Sequence, residues 1–382
     1  MTRGPVRVAV PAAAAKILEP LAQEARAHGL RLYAVGGPVR DWLLRRPNFD
    51  LDLTVAGDPD PIASAAARLL GGRVESFGRF GTRRVVSKGK FRVDVATTRA
   101  ETYCEPACLP VVNTVGVPIE KDLFRRDFTV NALAVRLDDR SWTLIDAYGG
   151  ARDLKDRVLR VLHPASFRDD PTRVFRAARF AARLKLRPAP GLVDAAKAAL
   201  AAGHAAKLSP HRLLHELLCL LGEKDPGPAF TLLRDWGYLR LFNPDLSWSK
   251  KIPAGVEPRL AALALALGPE KGRFFIEAFP HEHHLRTRLR ETLSLAFSDQ
   301  SPRVMPAPGL AAAVSRFRPK LPPAALKPCF LLGKDLIAAG LEPGPDFHGI
   351  LNEAARLQRA GGLKTRSAAL SWLRKRITSD NH

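Results

Sequence analysis

The chain has 382 residues, 46% of them hydrophobic, with 60 Lys plus Arg against 38 Asp plus Glu and a formal net charge of +22. The length predicts two to four compact units rather than one core, the apolar fraction excludes a disordered chain, and the charge points to a polyanionic partner, nucleic acid before any other. No run of about 18 apolar residues occurs, so neither a membrane-spanning helix nor a membrane partner is expected, and Cys104, Cys108, Cys219 and Cys329 make no disulfide framework, which predicts a reducing cytoplasm.

An alanine-rich helix is expected over 11–29, ending near Gly29. Residues 30–35 read as a strand running into Gly36-Gly37, 39–46 as a short helix, 49–55 as a strand and 61–70 as a helix. Residues 83–86 and 90–96 read as two strands of a hairpin around Gly89. Strands alternating with helices predict a mixed α/β domain. After Asp146-Ala147-Tyr148-Gly149-Gly150 helical periodicity takes over, broken by Pro164, Pro188, Pro210, Pro226, Pro244 and Pro253. Residues 300–328 read as loops between short helices, and 349–376 as a basic helical segment.

Asp50 and Asp52 lie two apart on a strand, so alternation points both carboxylates to one face. Two adjacent carboxylates repel unless a cation sits between them, and Mg²⁺ favours such oxygen ligands together with substrate phosphates. A pair of metals about 4 Å apart activates an attacking hydroxyl and steadies a leaving pyrophosphate. Gly36 and Gly37, lacking side chains, admit a phosphate close to the backbone; the amides after them suit phosphate oxygens, and Arg40 can clamp one in a fork.

Asp122-Leu123-Phe124-Arg125-Arg126-Asp127-Phe128-Thr129-Val130-Asn131 sets two arginines beside an aspartate and an asparagine. Arg126 can neutralise a triphosphate, Asp127 can hold that arginine or a ribose hydroxyl, and Asn131 can hydrogen-bond a sugar. The alternative is an Arg-Asp network that only ties a helix to the sheet. In Asp169-Asp170-Pro171-Thr172-Arg173 either aspartate can cap a helix, with proline in its first turn. Arg173, Arg176 and Arg179 then recur every three residues as a stripe, with Val174, Phe175, Ala178 and Phe180 on the buried side. That stripe either serves a nucleotide or only grips RNA backbone.

These motifs resemble those of class II tRNA nucleotidyltransferases and bacterial poly(A) polymerases, members of the DNA polymerase beta-like superfamily. The first is Gly36-Gly37-Pro38-Val39-Arg40-Asp41 followed by Asp50-Leu51-Asp52, the second Asp122 to Leu133, the third Asp169-Asp170-Pro171-Thr172-Arg173, with Asp169 where glutamate is usual. The resemblance is strong over about 30–220 and weaker beyond. It implies an α/β head (1–147) with a mixed sheet plus helices and the polymerase beta-like nucleotidyltransferase fold, then an all-α neck (148–220), body (221–328) and tail (329–382). It implies a template-independent enzyme that adds CCA, or its terminal A, to tRNA from CTP and ATP with Mg²⁺, gripping the acceptor and T arm and requiring no protein partner. Asp170 and Arg173 would then read the nucleobase, with Arg176 and Arg179 in support. Asp94 is the candidate third carboxylate, the alternative being a residue that orients Arg99. The segment from Arg99 to Glu120 resembles the family's flexible loop, which favours an enzyme able to add the final A.

Leu208 to Leu218 resembles the neck motif, with His211 where an acid is commoner. Cys104 and Cys108 have no second ligand pair for zinc, and Pro280 to His284 reads as a solvated, weakly basic loop. A poly(A) polymerase is the alternative enzyme, and a non-catalytic RNA-binding protein the alternative of another class.

Overall fold

The computed structural model describes residues 6–77, 81–89, 91–137, 141–249, 252–298, 301–302 and 304–380. The chain divides into two compact units, Met1–Leu208 and Ser209–His382.

The first unit opens with α1 (Ala12–Ala27), β1 (Leu32–Val35), α2 (Gly37–Leu43), β2 (Asp50–Val55) and α3 (Asp60–Leu70). There follow β3 (Arg73–Phe77), β4 (Thr82–Val86), β5 (Arg92–Thr97), β6 (Arg99–Thr102), β7 (Val111–Val115), α4 (Ile119–Phe124), β8 (Ala134–Arg136) and β9 (Leu144–Ile145). Among the described residues, seven strands form one mixed sheet in the order β3-β4-β5-β2-β1-β8-β9. Strand β2 sits at its centre, antiparallel to β1 and parallel to β5, with Asp52 beside Asp94 in register. Alternation explains the placement. Leu51, Leu53 and Val55 are 0–2% exposed on the core face, which leaves Asp50 and Asp52 to the other. Helix α1 packs on α3 through its apolar stripe of Leu18, Leu21 and Ala25.

Five strands depart from the expectations. Strand β3 escapes notice because Arg73, Glu75 and Ser76 are exposed on an edge, so no buried alternation marks it. Strands β8 and β9 are three and two residues long, too short to show a period. The segment expected as a loop from Arg99 contains the antiparallel hairpin β6–β7, with a register shift between Ala100 and Glu101. Lys90, expected to start a strand, lies outside the described residues; β5 starts at Arg92 and pairs antiparallel with β4, as the hairpin expectation requires.

The chain then runs through α5 (Gly150–Lys155), β10 (Val158–Leu159), α6 (Ser166–Asp169), α7 (Thr172–Leu184), β11 (Arg187–Pro188) and α8 (Pro190–Ala201). Asp146 caps α5 by accepting from the amides of Gly150 and Ala151. Gly150 is obligatory there, since a Cβ would lie 2.1 Å from the Thr129 carbonyl oxygen. The region expected to be all helix thus holds one short parallel pair, β10 with β11.

The second unit is helical: α9 (Pro210–Leu221), α10 (Gly227–Asp235), α11 (Val256–Ala266), α12 (Pro269–Glu277), α13 (His283–Phe297), α14 (Pro308–Phe317), α15 (Gly333–Ala338), α16 (Pro345–Arg359) and α17 (Arg366–Asp380). Ser209 starts α9 by accepting from the Arg212 amide, with Pro210 in the first turn. The tail keeps a core of its own around Leu336, Ala369 and Leu373. The solvated loop expected at 280–284 needs correction. His281 is 5% exposed, its ring meets Phe279 at 6.4 Å, and burial pushes its pKa down.

Candidate active site

The sequence motifs converge on one polar cleft of about 530 Å³ in the first unit. Its floor is the turn from β1 into α2. Gly36 has φ +74°, and a Cβ there would lie 2.7 Å from Nη1 of Arg126. Both the backbone angle and the arginine therefore require glycine. Arg40 lines the cleft but is only 6% exposed. It donates from Nε and Nη2 to Asp41, at 2.9 and 3.1 Å, and from Nη1 to Oδ1 of Asn131 at 2.6 Å.

One wall is β2. Asp50 is exposed; Asp52 is largely buried, and burial pushes its carboxyl above the usual range, Arg126 opposing and Asp94 and Asp50 adding to it. Arg92 lies 3.3 Å from Asp50. Asp94 adjoins Asp52 on the parallel strand, but both its oxygens accept from Arg84 at 2.8 Å. It therefore does not orient Arg99, which donates to Glu101 at 2.6 Å. Among the described residues, no group of three or more His, Cys, Asp or Glu side chains is disposed to hold a metal ion.

The opposite wall is the 122–131 segment. The fully buried Asp122 carboxylate accepts from Arg125 and Arg126 and from the Arg99 amide, and these partners outweigh burial to hold its pKa below the ordinary value. Asp127, expected to hold Arg126 or a ribose hydroxyl, is held by Arg176 on α7, through Nε at 2.9 Å and Nη2 at 2.7 Å. It also accepts from Asn131 at 2.9 Å and from the Phe128 amide. Burial drives the Asp127 pKa up, and Arg176 with these donors brings it below the usual value. The Asn131 side chain is thus shared between Arg40 and Asp127.

Helix α7 closes the site. Asp170 caps it through Oδ1, accepting from the Thr172 amide and hydroxyl at 3.1 and 2.6 Å. Arg173 is 5% exposed and donates to Ser166 Oγ, the Arg125 carbonyl and the Tyr103 hydroxyl, at 2.8, 2.8 and 3.1 Å. Tyr103, in the β6–β7 hairpin, also lies under that guanidinium at 5.7 Å. The expected stripe of Arg173, Arg176 and Arg179 needs correction: the cleft is lined by Arg173, Arg176, Phe180 and Arg183. At about 100° per residue, positions seven apart share a face, whereas Arg179 is turned about 120° from Arg173. Phe180, expected in the core, packs edge-on to Phe128 at 5.8 Å and carries the guanidinium of Arg183 at 4.8 Å. Sequence reasoning did not assign Arg183 a role, although its spacing of seven from Arg176 was readable.

Residues 32–160 match the family model for the poly A polymerase head domain. Over 351 residues the chain is 35% identical to the CC-adding tRNA nucleotidyltransferase of Deinococcus radiodurans, covering 90% of this chain and 88% of that one. The chain belongs to the tRNA nucleotidyltransferase family. A second member, the A-adding tRNA nucleotidyltransferase of Geobacter sulfurreducens, is 44% identical over 218 residues, which are 57% of this chain and 24% of that longer one. The match thus spans about a quarter of that relative's length. A solved CCA-adding enzyme in an apo form has the same architecture, at a TM-score of 0.73 and 26% identity, covering 95% of this chain and 96% of that one. The tRNA nucleotidyltransferase fold, a head with a mixed sheet followed by a helical remainder, is therefore shared along nearly the whole chain.

Proposed function

We propose that this protein extends the 3′ end of tRNA without a template, adding CCA or its terminal A from CTP and ATP. The observation that carries the reading is the meeting, in one cleft, of Asp50 and Asp52 with Gly36 and Arg126 and with Asp170 and Arg173. The relation to a CC-adding enzyme over 90% of the chain and to an A-adding one over 57% of it supports the substrate class.

Two carboxylates on one face of a strand, Asp50 exposed and Asp52 largely buried, are a hard-oxygen donor set. That fits a divalent cation, which we take to be Mg²⁺ held by Asp50 and Asp52. Bound there, it would activate the attacking 3′-hydroxyl and neutralise charge on the leaving pyrophosphate. Arg84 occupies Asp94, so we assign Asp94 to shaping the Asp52 wall. Arg126, over Gly36, faces the triphosphate, and Arg40, Asp127 and Asn131 hold that wall in place. The 3′-hydroxyl oxygen attacks the α-phosphorus, the bond to the β-phosphate oxygen breaks, and pyrophosphate leaves as the hydroxyl proton passes to solvent.

Asp170 and Arg173 both line the cleft; turned from Ser166, Tyr103 and the Arg125 carbonyl onto a base, the Arg173 fork with the Asp170 acceptor would make the pattern that pairs with C or A but not with G or U. Arg176 stays clamped to Asp127, and Arg179 lies off the cleft. The Tyr103 contact joins the β6–β7 hairpin to Arg173, which favours a member able to complete the end with A. The basic tail helix α17, with Arg374 and Lys375, would grip the acceptor and T arm through phosphates. A cytoplasmic setting follows from that substrate.

The test is incorporation of each labelled nucleotide into tRNAs ending at the discriminator base, at C and at CC. C on the first two and A on the third is the full activity; A on the third alone is the terminal step. No incorporation on any would overturn the reading, and long A tails on unrelated RNAs would favour a poly(A) polymerase.

A further inference from the structure

Phe124 ends α4 and immediately precedes Arg125-Arg126. On the same helix, Ile119 and Leu123 are 4% and 0% exposed and belong to the core, yet Phe124 keeps 46% of its surface open. The ring is not loose. It lies 5.3 Å from the His163 imidazole at 33° and 5.7 Å from the Tyr148 ring at 43°. Tyr148 is pinned from below, its hydroxyl donating to the Glu120 carbonyl at 2.8 Å. Burial, and then the charge of Arg173, push the His163 pKa down, so this ring favours its neutral form.

The position matters as much as the rings. Phe124 runs straight into two arginines that line the cleft, and His163 lies within the field of Arg173, which lines it too. A nucleotidyl transfer needs two substrates, and Phe124, Tyr148 and His163 lie outside the lining of the cleft read here as the nucleotide's. A half-exposed ring backed by two tilted aromatic neighbours, next in sequence to arginines of the cleft, suits an unstacked base, because every base presents a π-face.

We propose that Phe124, Tyr148 and His163 form a stacking platform for the unpaired 3′-terminal base of the RNA being extended. The proposal rests on the nucleotidyltransferase reading above. Its occupant is a nucleobase, since the arginines alongside would repel a basic peptide and an apolar one would leave them unused.

The experiment uses an RNA minihelix whose 3′-terminal nucleotide is 2-aminopurine, a base that loses fluorescence when stacked. With the full-length protein, binding should quench it. Phe124→Ala should abolish the quench and raise the KM for RNA about tenfold or more, with the nucleotide KM unchanged. Phe124→Trp should restore both, and Phe124→Leu neither. Phe124 is half exposed, so thermal melts of the variants should match the wild type. Full quenching by Phe124→Ala, or rescue by leucine as good as by tryptophan, would overturn the platform. If the wild type transfers no nucleotide but its quench follows Phe124, the platform stands and the enzymatic reading falls. If it transfers nucleotide and the quench ignores Phe124, the platform alone falls.

Discussion

Arg126 lies across the backbone of Gly36, its Nη1 at 2.7 Å from where a Cβ would stand. The turn after β1 and the segment after α4 are 90 residues apart in sequence, yet they meet: the glycine makes room, and the arginine brings its charge within reach of Asp52.

Gly36→Ala should therefore do two things. A side chain at φ +74° costs about 1–3 kcal/mol, read as a lowered Tm. The displaced Arg126 should also raise the KM for nucleotide, measured at a temperature where the variant is fully folded. A variant with wild-type KM would show that Arg126 does not serve the triphosphate.

Asp50→Ala and Asp52→Ala should each reduce transfer by at least about 10²–10³-fold, the loss typical of a group that stabilises transition-state charge. Binding of tRNA, measured by filter retention, should persist, since RNA affinity comes mostly from phosphate contacts. Asp94→Asn should be milder, because its carboxylate already belongs to Arg84. Equal losses at all three would place Asp94 among the metal ligands.

Asp127 and Asp122 both titrate below the ordinary carboxylate value in the folded chain. Their ionised forms are thus favoured by folding, and the unfolded chain takes up protons first as pH falls. The stability they contribute is whole above the ordinary value of 3.8 and disappears as pH drops through their lower folded values. Asp127→Asn should destabilise by on the order of 1–3 kcal/mol at neutral pH, with urea midpoints converging on the wild type in acid. A gap that does not narrow in acid would deny the charge its role.

Arg183→Ala should weaken substrate binding about two- to fivefold, the scale of an exposed cation over a ring. Arg179→Ala should leave the KM values for nucleotide and RNA as they are. The reverse order would mean that α7 presents a different face to the substrate.

Arg173→Lys should blur the choice of C and A over G and U, since a point charge cannot replace a fork of donors. A bidentate contact carries about 1–3 kcal/mol of discrimination, so misincorporation should rise roughly 5- to 150-fold. Unchanged selectivity would remove Arg173 from base reading.

The sequence by itself determined the family and which residues are candidates for its site. Asp50 and Asp52 share a face because a strand alternates, and Gly36, Arg126, Asp170 and Arg173 stood out because few other purposes need those residue types at those spacings. Local periodicity also predicted α1, α3, β2 and the β4–β5 hairpin. Tertiary structure decided the partnerships. That Asp127 takes Arg176 rather than Arg126, that Arg84 takes Asp94, and that Asn131 lies between Arg40 and Asp127 depend on which surfaces the sheet order brings together. An ion pair has no sequence period, so spacing could not reveal these choices. Helix phase decided between Arg179 and Arg183, and burial decided His281, because both depend on which side of an element the rest of the chain covers.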